Sequence, residues 1–220
     1  MNPRTQSARA PGVGRIGSKW ASADSGQDYA ETRFGTRRAG ERDPRAIASL
    51  LERWAPDAAQ ASLLDLPSGA GRLEAALRAK VARYVGVDIS SSMLAAARLA
   101  SPAAELFRGS ASCLPFGDRS FDIVVCNRLL HHLEQPALGR VVRELARVSS
   151  GLVIASFWDA ASFPAWRRRA GLRRGKADSR IPVSRKELAA AFEEGGASVV
   201  AWHNGLRFMR MQSFVVARRA

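Results

Sequence analysis

The stretch from Leu63 to Arg72, Leu-Leu-Asp-Leu-Pro-Ser-Gly-Ala-Gly-Arg, constrains the fold more than any other. Ser62, Leu63, Leu64 and Leu66 form an apolar run of strand length, broken by Asp65. Gly69 and Gly71 follow, and glycine tolerates positive φ and lets backbone approach a ligand closely. Leu73, Ala76, Leu77 and Val81 then recur at helical spacing, which predicts a helix directly after the turn. A strand, a glycine turn and a helix N-terminus suit an anion, because free N–H groups and the helix dipole face it. A second strand, Arg83 to Ile89, carries Asp88 about 20 residues past the glycines, where a carboxylate can meet ribose hydroxyls. Two glycines alone are more often no more than a tight strand-to-helix connection.

The rest of the chain repeats the alternation of strand and helix. Ser90-Ser91-Ser92 predicts a cap for a helix through Met93, Leu94, Ala97 and Leu99. A third strand is expected over Ala104 to Arg108, and a fourth over Phe121 to Asn127. The fourth is apolar along most of its length, as a central parallel strand covered on both faces should be. Pro136 opens a helix with Leu138, Val141, Val142, Leu145 and Val148 on one face, and a fifth strand spans Gly151 to Phe157. Ser184 starts a helix that stops at Gly195-Gly196, and two closing strands follow, Ser198 to His203 and Gln212 to Arg218. This pattern predicts a parallel sheet wound on both sides. Upstream, Asp43-Pro44 reads as a helix N-cap and first turn, with Ile47, Leu50, Leu51 and Trp54 on one face.

Two segments depart from this rhythm. Residues 1–27 are rich in Gly, Ser, Pro, Ala and Arg with almost no large apolar residues, which predicts a disordered basic tail. Residues 159–186 hold nine Arg and Lys, from Arg167 to Lys186, against Asp159 and Asp178, with Trp158, Phe163 and Trp166 at or before their start. Charges of that density need partners if buried, so the segment reads either as a basic insertion forming a lid or as a solvated loop.

Composition limits the partners. The 220-residue chain carries a formal net charge of +14, which concerns partners and solubility rather than fold. Its arginine and alanine content also fits a GC-rich codon bias. No apolar run approaches the ~18 residues of a membrane span, and no apolar signal-peptide core opens the chain. Cys113 and Cys126 make neither a disulfide pattern nor a metal spacing, so no metal is expected and the cytoplasm is the expected compartment.

Four features occur in order: the glycine turn, Asp88, Leu114-Pro115-Phe116 ahead of Ser120 to Asn127, and Leu130-His131-His132-Leu133. With these, the chain from about Tyr29 onward resembles class I S-adenosylmethionine-dependent methyltransferases, most closely the group of the ubiquinone/menaquinone-biosynthesis type. The resemblance implies an α/β, doubly wound Rossmann-like sheet of seven strands, mostly parallel with the last strand antiparallel. It implies S-adenosylmethionine as cofactor and one methyltransferase domain over 28–220, with residues 28–60 as an N-terminal helical cover.

The resemblance also assigns residues. Asp65, Gly69 and Gly71 match the motif that wraps the methionine part of the cofactor. Pro67 stands where glycine is usual and removes one N–H, and Ser68 stands where cysteine or glycine is common. Asp88 matches the acid that holds the ribose, with Ile89 beside the adenine. Ser110, followed by Ala111, occupies the place of an Asp that in many relatives meets the adenine amine. Asn127 and Arg128 end the fourth strand at the carboxyl edge, where ligands bind in open α/β sheets, and complete the cofactor set. His131 and His132 follow as candidate catalytic bases, because histidine exchanges protons near neutral pH; a structural role is the alternative for each. His203 has a weaker claim on the same role. The Asn/Asp-Pro-Pro-aromatic motif of nucleic-acid base-amino methyltransferases is absent after the fourth strand.

Three functions remain open at this level. The first is methyl transfer to a small-molecule or lipid-like acceptor, amphipathic or anionic to suit the arginines. The second is RNA methylation using the basic tail and insertion. The third is a non-catalytic binding module, motivated by Pro67 and Ser110.

Overall fold

The computed structural model describes residues 42–171, 181–203 and 212–219. In chain order these form α1 (Arg42–Trp54), β1 (Ser62–Asp65), α2 (Glu74–Leu77), β2 (Arg83–Asp88), α3 (Ser91–Ala100), β3 (Glu105–Arg108) and β4 (Phe121–Cys126). They continue as α4 (Ala137–Val148), β5 (Ser149–Trp158), α5 (Phe163–Arg169), α6 (Arg185–Glu194), β6 (Ala197–His203) and β7 (Gln212–Arg219). The basic tail expected over 1–27, the start of the cover at 28–41, the middle of the insertion at 172–180 and the connection at 204–211 between the closing strands lie outside the described residues.

The described residues carry a seven-stranded sheet in the order β3-β2-β1-β4-β5-β7-β6. The first five strands pair in parallel, and β7 runs antiparallel between β5 and β6. This is the mostly parallel sheet with an antiparallel last strand that the alternation and the resemblance predict. The chain builds outward from β1 to β3 and returns beside β1 as β4, so strand order reverses between β1 and β4. In open α/β sheets the crevice at the carboxyl ends of such strands is where ligands bind.

Both faces of the sheet are covered. On one face Leu138, Val142 and Leu145 of α4 and Leu188 and Phe192 of α6 pack on Val124, Val153 and Val215. On the other, Ile47, Leu50 and Leu51 of α1 join Leu73 and Leu77 against Leu63, Ile123 and Ile154. Truncating a fully buried side chain such as Phe192 to Ala would cost about 3–5 kcal/mol. The Leu-Pro-Phe loop is pinned to α4. Glu144 Oε2 accepts the Leu114 N–H at 2.8 Å, and Arg147 donates to the Phe116 carbonyl at 2.9 Å. Phe116 sits edge-on between Phe107 and Phe121.

Three local expectations differ from the fold. The helix after the glycine turn is one α-turn, Glu74–Leu77, followed by a 3-10 turn at Arg78–Lys80. Leu73, at its N-cap, has no side chain able to accept the first N–H groups, so no cap extends the helix back to the glycines. Asp43 lies inside the first turn of α1 rather than at its N-cap. The insertion contains a helix, α5, started by Ser162 Oγ accepting the Ala165 N–H, with Pro164 in the first turn. α6 follows the expected form, with a capping box between Ser184 and Glu187. Among the described residues, no helix is long and apolar enough to cross a membrane, and no group of three or more His, Cys, Asp or Glu could hold a metal.

Candidate active site

β1 delivers Asp65 into the interior, fully buried. Its Oδ2 accepts the Tyr84 hydroxyl at 2.5 Å, and its Oδ1 has no hydrogen-bond partner among the described residues. Burial pushes the Asp65 carboxyl up to about 7, against the opposing Tyr84 hydrogen bond and Arg72 charge.

Past β1 the chain folds onto β2. The Ser68 N–H donates to the Val87 carbonyl at 2.9 Å. Glycine at position 86 eases this approach, because a Cβ there would lie 2.6 Å from Leu106 Cδ2 and 3.0 Å from Ser68 Cβ and would push both side chains aside. Gly69 has φ 55°, where side chains are strained, and its missing Cβ faces open space. Its N–H donates to Asp88 Oδ2 at 2.9 Å, while the Ser90 N–H donates to Asp88 Oδ1 at 2.9 Å. Burial raises the Asp88 carboxyl, and the N–H groups of Ser90, Gly69 and Ile89 oppose that rise. The Gly71 N–H is taken by the Ser68 carbonyl at 3.1 Å, and α2 begins three residues later. The turn is therefore not a helix N-terminus, and that electrostatic argument for an anion does not hold here.

The loop after β3 joins the same corner. The Gly109 N–H donates to the Asp88 carbonyl at 3.1 Å, which carries Ser110 and Ala111 next to the end of β2. Ser110 Oγ is 2.9 Å from Ser112 Oγ. Half-buried Ile89 accepts Arg108 Nε at its carbonyl, 3.3 Å away.

The end of β4 forms the opposite wall. Asn127 is buried, and its Oδ1 accepts Ser156 Oγ at 2.9 Å. The same hydroxyl accepts the Arg128 N–H at 2.7 Å. Arg128 has φ 61°, a left-handed conformation that costs a residue other than glycine about 1–3 kcal/mol. Its Nε donates to Asp43 Oδ2 at 2.6 Å, and Arg72 Nη2 reaches the same oxygen at 3.2 Å. Burial would raise Asp43, but Arg128 and Arg72 outweigh it and hold the carboxyl below its usual range. One carboxylate from α1 thus ties the glycine turn, through Arg72, to the end of β4, through Arg128.

The histidines lie in a 3-10 turn, Leu130–His132. His131 is buried and stacks on Trp158, with ring centroids 5.3 Å apart and planes 25° apart. Its carbonyl accepts the Ile181 N–H at 2.7 Å, which ties the turn to the returning end of the insertion. His132, half-buried, tilts against His131 at 4.4 Å. His203 ends the edge strand β6, separated from β5 by β7, and is not brought to this group.

The structure thus gathers Asp65, Pro67, Gly69, Gly71, Asp88, Ile89, Ser110 and Ala111 around the ends of β1 to β3, and Asn127, Arg128, His131 and His132 around the end of β4. Sequence reasoning missed Asp43, Arg72, Tyr84 and Ser156. Of these, only Arg72 carried a local signal, directly following the glycine turn.

Residues 63–150 match the methyltransferase-domain family. Residues 63–150 thus carry a methyltransferase domain, set in a sheet with the fold of S-adenosylmethionine-dependent methyltransferases. It is similar to an uncharacterized methyltransferase, YcgJ, of Bacillus subtilis, 33% identical over 54% of this chain and 50% of that protein. A demethylmenaquinone methyltransferase of Clavibacter sepedonicus is 32% identical over 64% of this chain and 58% of its own. A second, of Chlorobaculum tepidum, is 39% identical over 39% of this chain and 35% of its own. The chain thus spans about a third to three fifths of the length of these relatives. In fold it is similar to the magnesium protoporphyrin IX methyltransferase of Synechocystis with bound S-adenosylhomocysteine. That likeness has a TM-score of 0.73 at 18% identity, over 90% of this chain and 96% of that one.

Proposed function

We propose that this methyltransferase binds S-adenosylmethionine across the ends of β1, β2 and β4 and transfers its methyl group to a small-molecule or lipid-like acceptor. The observation that carries the reading is Asp88. Its buried carboxylate closes the end of β2 and rests on the N–H of a glycine turn whose outer side is open. The Ser68 hydroxyl and Asp65 Oδ1 at the same turn, both buried without a hydrogen-bond partner among the described residues, fit a polar ligand better than a plain chain reversal.

The bound cofactor supplies an electrophilic methyl on a sulfonium, so the protein need only align the acceptor, exclude water and take a proton where the acceptor carries one. In this reading Asp88 accepts from the ribose hydroxyls and Ile89 flanks the adenine. Ser110 and Ala111 receive the adenine edge. Asp65, Pro67, Gly69 and Gly71 line the methionine part, and Asn127 and Arg128 close it from β4. His132, which is less buried than His131, is the candidate base on the acceptor side, and His131 with Trp158 supports the turn that carries it. Methylation of a quinone-type or porphyrin-type small molecule by proteins similar to this one supports the acceptor class.

RNA methylation is the second reading, favoured by exposed Arg167 and Arg169 at the end of α5. Calorimetric titration with S-adenosylmethionine and S-adenosylhomocysteine tests the cofactor half. A screen of fractionated cell extract with radiolabelled cofactor tests the acceptor half. Label in the organic-extractable or small-molecule fraction supports the first reading, and label in RNA supports the second.

A further inference from the structure

The segment after β5 presents a feature that methyl transfer does not require. α5 places Phe163 and Trp166 three residues apart, and their rings stack at 5.6 Å with planes 21° apart. They are 49% and 50% exposed. The other exposed large apolar residues described, Leu99, Phe107 and Val200, lie on α3, β3 and β6 rather than on α5. α5 stands on buried Ser162 and Ala165, so the aromatic pair is held outward by a fixed foot.

Three arginines follow this pair on the same helix, one of which, Arg169, donates to the Ala160 carbonyl at 3.1 Å. Arg167, Arg168 and Arg169 complete α5, and residues 160–171 contain no acid. Of the two acids that flank the helix in sequence, Asp159 is buried and held by Arg185 at 2.8 and 3.0 Å, and Asp178 lies outside the described residues. Beside the helix lies a hollow of about 420 Å³, lined by Ala160, Ala165, Arg168, Arg169, Ile181 and Pro182. Its lining is thus apolar on most sides and cationic on one.

We infer that α5 is a docking surface for an anionic phospholipid bilayer. Aromatic side chains settle at the membrane interface, where one part of the ring is apolar and the other wet. Arginines beside them meet lipid phosphates, and each basic residue near an anionic surface adds to the attraction. The hollow has the mixed lining that a headgroup and the first part of its chains require. RNA fits less well, because Phe163 and Trp166 turn one face each on the other and so occupy surfaces on which bases would stack. Docking here has a consequence for the site. The Ile181 N–H on the hollow's wall donates to the His131 carbonyl, so the bilayer surface would lie beside the turn that carries His132. A lipid-like acceptor could then enter from the membrane, a consequence that rests on the proposed function; the docking itself does not.

The test is co-sedimentation of the full chain with vesicles of phosphatidylcholine alone and of phosphatidylcholine mixed with phosphatidylglycerol. Binding should favour the anionic vesicles and weaken with added salt. Replacing Arg167, Arg168 and Arg169 together with Ser should weaken it on the order of a hundredfold. The double substitution Phe163→Ser, Trp166→Ser should weaken it roughly tenfold or more. Circular dichroism and S-adenosylhomocysteine binding on the same samples check the fold and keep failure of this proposal separate from failure of the cofactor reading. The proposal is overturned if the wild type ignores anionic vesicles, if both variants bind them as the wild type does, or if the chain retains transfer RNA but not vesicles.

Discussion

Asp43 Oδ2 and Arg128 Nε meet at 2.6 Å across 85 residues of sequence. The contact joins the first turn of α1 to a left-handed residue at the end of β4, and Arg72 adds the glycine turn to the same oxygen. Asp43→Asn should therefore loosen α1 from the sheet. Removing one partner of a buried pair costs up to 3–5 kcal/mol, but Arg72 and Arg128 are partly exposed, so about 2 kcal/mol is expected. That corresponds to a fall in Tm of roughly 4–8 °C. The Asp43 carboxyl is held below its usual range, so its contribution is present above the unfolded value and disappears as pH falls through the folded one. Melting curves of the two proteins should converge in acid.

Arg128→Gln should separate the two ends of the cofactor. S-adenosylhomocysteine carries a carboxylate that an arginine can hold, and 5′-methylthioadenosine lacks the amino-acid end. The variant should bind the first roughly tenfold or more weakly and the second as the wild type does. Equal losses for both ligands in calorimetry would remove Arg128 from the methionine side.

Asp65 gives a pH signature. Burial pushes its carboxyl from 3.8 to about 7, so the folded state binds a proton more tightly than the unfolded chain. The unfolded chain binds fewer protons between those values, and stability falls as pH rises from about 4 to about 7. The shift is worth at most about 4 kcal/mol. Asp65→Asn keeps an acceptor for the Tyr84 hydroxyl and removes the titration. Its Tm should exceed the wild-type value by more at pH 8 than at pH 5; a constant difference contradicts the assignment.

His131 and His132 should fail differently. His131→Ala removes a buried ring stacked on Trp158, which should lower Tm and leave a void. His132→Gln should leave Tm nearly unchanged. With an acceptor from the extract screen, it should lower kcat on the order of a hundredfold while leaving S-adenosylmethionine affinity intact.

These contacts mark where the sequence ceased to be legible. The sheet was readable because β1, β2 and β4 are apolar runs bounded by turn residues, and period and length suffice to identify them. The meeting of Asp88 with the glycine turn was readable because its distance from the glycines in sequence is a local quantity. Asp43 was not, because a capping Asp and an ion-paired Asp share the same neighbours in sequence; only the arrival of Arg128 and Arg72 distinguishes them. Arg128 gave no sign of its positive φ, since glycine or asparagine is the usual marker. The helix after Gly71 was overread, because Leu73, Leu77 and Val81 are buried as expected without a cap to hold more than one turn together. α5 was hidden by its arginines, although Ser162 and Pro164 are ordinary helix-start residues.

The central claim is that Asp88 and the glycine turn hold an adenosyl ligand, and calorimetric titration of S-adenosylhomocysteine into wild type and Asp88→Ala tests it most directly. The wild type should bind, and the variant, confirmed folded by circular dichroism, should lose roughly tenfold to a hundredfold in affinity. An unchanged affinity in the variant, or no binding by the wild type, would contradict the account.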